Sequence, residues 1–141
     1  MKYFDDYQIG EKTVTRARTI TETDIVNFAA FSGDWYPLHT DREYAKNTQF
    51  GERIAHGMLV LSVASGLIPL DDMAIIAFYG LDKVRFLSPT KIGDTIHVEL
   101  EVIDKQDKGE HTGIVSLTQS IKNQREEDVT IATMKLLIAK H

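Results

Sequence analysis

Residues 54–70, IAHGMLVLSVASGLIPL, run for seventeen positions without Asp, Glu, Lys or Arg and are apolar on nearly every face. The stretch predicts one buried helix. A membrane span is the competing reading. The stretch only reaches the bottom of the roughly 17 to 25 residues that a span needs, and His56, Gly57, Ser62, Ser65, Gly66 and Pro69 interrupt it. In water, a helix apolar on all sides requires a cover. The chain supplies one after Pro69: residues 73–87, 95–103, 112–121 and 128–139 are rich in Val, Ile, Leu, Thr and Phe and read as strands.

In the second of these, Ile96, Val98, Leu100 and Val102 alternate with His97, Glu99 and Glu101, so one face packs and the other is wet. Upstream of the helix, residues 12–20 have the Thr and Val content of a first strand. Thr21 then stands three residues before Asp24 as a capping box. Ile25, Val26, Phe28 and Ala29 form a helical stripe, and Gly33 permits the left-handed turn that ends it. Residues 33–40 read as loop, with Pro37 forcing Tyr36 to be extended, and Thr40 caps a short helix reaching Asn47. The economical packing is an α+β fold, with one antiparallel five-stranded sheet curled around one central helix.

No repeat or linker divides the chain, and 141 residues with 43% hydrophobic content suit a single domain over residues 1–141. A net charge of -5 with scattered Lys and Arg argues against a nucleic-acid partner. The absence of cysteine excludes a disulfide framework and a thiol nucleophile. Residues 1–6 lack an apolar signal core, so the expected location is cytoplasmic, with no membrane partner.

Chemistry concentrates in residues 31–39, FSGDWYPLH, where Asp34 and His39 lie five positions apart among apolar residues. One reading is an acid/base pair, with the carboxylate raised toward neutrality by Trp35, Tyr36 and Leu38 and the imidazole already titrating nearby. The other is a helix-ending turn followed by a surface histidine. His56 is either a buried histidine bonded to backbone or a proton carrier. Ser62 and Ser65 can simply bond back to the preceding turn. Asp34, His39, Asp41 and His56 match no helix-borne ligand spacing, so no metal is expected.

The run Ser32-Gly33-Asp34-Trp35-Tyr36-Pro37-Leu38-His39-Thr40-Asp41, followed by Phe50-Gly51 and Ile54-Ala55-His56-Gly57-Met58-Leu59, resembles the signature of the MaoC-like dehydratases and (R)-specific enoyl-CoA hydratases. Residues 79–87 and 89–94 are similar to the same family. The resemblance implies a hot-dog fold, in agreement with the helix-in-sheet reading. It also implies reversible addition of water to a trans-2-enoyl-CoA, giving an (R)-3-hydroxyacyl-CoA. Asp34 and His39 match the family's catalytic pair, Gly57 offers a backbone N–H to the thioester oxyanion, and Ser65 aligns with a serine near the family's site. His56 is retained beside them. Coenzyme A would be part of the substrate, with no further cofactor, and Arg53, Lys83, Arg85 and Lys91 are the candidate cations for its phosphates. The family also implies a homodimer or an assembly of dimers.

Where the family pattern has Asn, position 36 is Tyr. Tyr36 could fill the pocket and select the acyl group, replace the amide with its hydroxyl, or displace His39 and leave a protein that binds acyl-CoA without turnover. A thioesterase is a further alternative on the same fold.

Overall fold

The computed structural model describes residues 1–141. In chain order the elements are β1 (Lys12–Val14), β2 (Arg18–Thr19), α1 (Glu22–Ser32), α2 (Pro37–Thr40), α3 (Arg42–Lys46), α4 (Gly57–Leu67), β3 (Ile75–Phe86), β4 (Thr95–Asp107), β5 (Thr112–Lys122) and β6 (Asp128–Ala139). The strands run β1-β4-β5-β6-β3 across one antiparallel sheet, and β2 pairs with β4 beyond β1. This is the expected α+β, hot-dog arrangement, with six strands instead of five.

The alternation read in β4 is realised: Ile96, Val98, Leu100 and Val102 all face the core. Leu59, Val60, Val63 and Leu67 of α4 meet them, together with Val115 and Leu117 of β5 and Met134, Leu136 and Ile138 of β6. Each such side chain taken fully out of water contributes about 1.5 to 3 kcal/mol. Ile25 and Ala29 of α1 are also buried, whereas Val26 and Phe31 point to solvent. The Thr21–Asp24 capping box and the left-handed Gly33 bound α1 as the sequence predicts.

Four local expectations are corrected. The central helix begins at Gly57 and ends at Leu67, because Ile54 and Ala55 are extended and use their backbone groups elsewhere: Ile54 bridges Lys91, and the Ala55 N–H donates to the Thr90 carbonyl at 2.7 Å. The helix is also not covered all round: Met58 is 61% exposed, and Ser62, Ser65 and Gly66 continue its open stripe. The first strand breaks between Val14 and Arg18, where the Thr15 hydroxyl accepts the Val98 N–H in place of a backbone carbonyl. Finally, residues 37–40 form the short helix α2, and Asp41 caps α3, while the Thr40 hydroxyl bonds back to the carbonyls of Trp35 and Tyr36.

Candidate active site

Asp34 follows the left-handed Gly33 directly, and its Oδ1 accepts the Tyr36 N–H at 3.2 Å, which folds residues 34–36 into a tight turn. Pro37 then starts α2 at its first position, where a missing N–H is harmless. One turn of helix brings His39 back toward the chain that precedes α4. There its Nδ1 lies 2.8 Å from the Ile54 carbonyl, while the Ile54 N–H points to the Leu38 carbonyl at 3.4 Å. A carbonyl can only accept, so Nδ1 carries the hydrogen and Nε2 keeps its lone pair.

His56, two residues further on, stacks on His39 with centroids 4.0 Å apart, and its Nε2 reaches the Asp34 backbone carbonyl at 2.9 Å. Donor atoms of Asp34, His39 and His56 all lie within 4.8 Å of one another. One nitrogen of each ring is already committed to a carbonyl, His39 Nδ1 to Ile54 and His56 Nε2 to Asp34, which leaves one bare nitrogen on each ring.

His39 lines a cavity of about 460 Å³ together with Gly57, the first residue of α4, and with Ile54, Val60, Phe86 and Thr130. A side chain on Gly57 would place its Cβ 2.6 Å from the Phe86 ring, so glycine is what lets Phe86 close on the start of the helix. No side chain caps α4 at this end, and its positive pole opens here. Burial lowers the His39 pKa below its ordinary value, and neighbouring His56 acts in the same direction, against the Ile54 hydrogen bond and the Asp34 charge.

The predicted residues do not all gather at this cavity. The Asp34 carboxylate is exposed, and Trp35 and Tyr36 are each 52% exposed, so within one chain the apolar surround expected for Asp34 is absent. Tyr36 neither lines the cavity nor displaces His39. Its ring meets His39 edge-on at 6.1 Å, and its hydroxyl pairs with that of Tyr44 at 3.4 Å. The pairing with Tyr36 raises the Tyr44 pKa. Ser65 donates to the Ser62 carbonyl at 2.6 Å and lines a separate cleft of about 70 Å³ with Leu61, Phe78 and Met134. Among the candidate cations, Arg53 pairs with Glu22 and Lys91 with Glu52, whereas Lys83 and Arg85 stay exposed on β3. Sequence reasoning missed Phe86, Thr130 and Tyr44. Tyr44 is a partner for Tyr36 only once the turn between them is known.

Residues 6–124 match the family model described as "MaoC like domain". Protein MaoC of Klebsiella aerogenes is 46% identical over 100 residues, which are 70% of this chain and 30% of that longer protein. The (R)-specific enoyl-CoA hydratase of Rhodospirillum rubrum is 36% identical over 102 residues, 72% of this chain and 70% of the hydratase. A solved Archaeoglobus structure, described as a monoamine oxidase regulatory protein, superposes with a TM-score of 0.94 at 49% identity, covering 99% of this chain and 95% of that one.

The direction of the His39 shift fixes how stability depends on pH. Above the ordinary value of 6.5, the folded and unfolded rings are both neutral and the contribution of His39 is fully present. Below it the unfolded chain binds the proton first, so the contribution is lost as pH falls through the lower folded value. From about pH 8 to about pH 5, the thermal midpoint of the wild type should fall further than that of His39→Gln. Equal falls would contradict the burial of His39.

Proposed function

The chain belongs to the family of MaoC-like domains, and we propose that it is a hydro-lyase that adds water reversibly to a trans-2-enoyl-CoA, giving an (R)-3-hydroxyacyl-CoA. The observation that carries this reading is the approach of the Asp34 and His39 donor atoms to within 4.8 Å, with His39 and Gly57 on one cavity. A single water at about 2.8 Å from each group bridges such a gap. His39 is suited to take its proton, because the bare Nε2 is the free nitrogen and burial keeps the ring neutral at pH 7. As the water oxygen bonds to C3, the electron pair of the double bond moves onto the thioester oxygen. The Gly57 N–H, at the positive end of α4, offers that oxyanion a fixed donor. Return of the proton from His39 to C2 completes the addition, with Asp34 holding the water in line. Coenzyme A enters as part of the substrate.

The chain also fits a homodimer. Edge strand β3 carries exposed Ile76, Phe78, Tyr79 and Phe86, and its outer backbone groups have no neighbouring strand. A second copy there would extend the sheet. No helix is long and apolar enough to cross a membrane. Acyl-CoA binding without turnover remains the second reading, favoured by the exposure of Asp34.

Purified protein should hydrate crotonyl-CoA to the (R)-3-hydroxy product and sediment at the mass of a dimer or above. Asp34→Asn and His39→Ala should each lower turnover by about 10²- to 10⁴-fold while the protein stays folded. Unchanged turnover in either variant would remove that residue from the mechanism. Release of free CoA would identify a thioesterase, and a monomer in sedimentation would remove the dimer.

A further inference from the structure

His56 is 2% exposed and stands at the N-cap of α4, yet its side chain makes no hydrogen bond to that helix. The ring is used in three other ways. One face lies on His39, with planes 28° apart. The ring also meets Phe28 of α1, at a centroid distance of 4.8 Å. Its Nε2 must carry a hydrogen, because it reaches the Asp34 carbonyl at 2.9 Å, and this leaves Nδ1 bare and buried without a protein partner. Packing alone would not call for this residue: Phe would stack equally well on His39 and Phe28. A role confined to starting the helix would turn a ring nitrogen toward α4.

We propose, on the hydratase reading above, that His56 is a positioning residue that holds both members of the catalytic pair at once. The N–H to its carbonyl anchors the turn that presents the Asp34 carboxylate, and the stacked face sets the plane in which His39 offers Nε2 to the cavity. One side chain thus fixes the separation of the two groups that share the water. Such a separation is sensitive, since a displacement of about 1 Å in a reacting geometry costs about 100-fold in rate. The titratable groups that face His39 are Asp34, His56 and Tyr36, from the turn and from the start of α4.

Two variants separate the two duties. His56→Phe keeps a flat ring against His39 and removes the N–H to Asp34, whereas His56→Gln keeps an N–H donor and removes the ring. His56→Phe should lower kcat on crotonyl-CoA by about 10- to 100-fold, with KM within about threefold of wild type. In that variant the titration of the His39 imidazole, followed by nitrogen-15 NMR, should move up less than in His56→Gln, because only the repulsion from the neighbouring imidazole is lost while a ring still covers His39. His56→Gln should recover at least about threefold of the lost kcat and move the His39 titration upward, because the ring face that shields it from water is gone. The NMR titration needs no turnover. Wild-type protein that leaves crotonyl-CoA unchanged would therefore overturn the hydratase reading, while the His39 titration still tests the contact. The positioning role is overturned if both variants keep kcat within about twofold of wild type. It is equally overturned if both lose kcat to the same extent with the His39 titration unmoved, as for a residue that only supports the fold.

Discussion

An uncharged helix of eleven residues cannot stand alone in water, and burial of α4 is the constraint from which the other elements take their places. β4, β5 and β6 supply the covering face, and α1 adds Ile25 to the same core and sets Phe28 against His56 at the start of the helix. The cover stops at Met58, Ser62, Ser65 and Gly66, and this open stripe accompanies an edge strand, β3, that is itself largely exposed. Both features fit a chain that completes its packing with a second copy.

The same constraint builds the site. To enter the middle of a curled sheet, the chain before α4 has to run extended past the sheet, which leaves the polar groups of residues 54 and 55 without helical partners. The neighbouring segments take up the Ile54 and Ala55 groups and the His56 Nε2: Ile54 by Leu38 and His39, Ala55 by Thr90, and His56 Nε2 by the Asp34 carbonyl. The Asp34 backbone carbonyl and the His39 imidazole are thus held by hydrogen bonds with the segment that leads into the central helix. Rigid placement of this kind is what an acid/base pair requires, because a water held by two groups is useful only while their separation is constant.

Much of this was legible in the residues. The absence of charge over 54–70 marked the buried helix, the alternation in 95–103 marked the covered sheet, and the Thr21–Asp24 box and Gly33 bounded α1. The pairing of Asp34 with His39 became specific only through the family pattern that surrounds them. What escaped reading depends on tertiary geometry. Hydropathy cannot say that Ile54 and Ala55 are extended, since apolar residues are equally at home in a bridge and in a helix. Periodicity did not separate Ser65 from the cavity of His39, although eight residues along a helix turn about 80° away from Gly57. Nor could Tyr36 be placed outside the cavity before the turn at Asp34 was known, because its partner Tyr44 lies on α3, beyond the short helix α2.

The central claim is that Asp34 and His39 act on one water from one side of the substrate. The direct test is hydration of crotonyl-CoA in deuterium oxide, with the configuration of the product resolved by NMR. The account predicts a single deuterium at C2, delivered to the same face that receives the C3 hydroxyl. Deuterium on the opposite face, or free CoA released with the double bond intact, would contradict it.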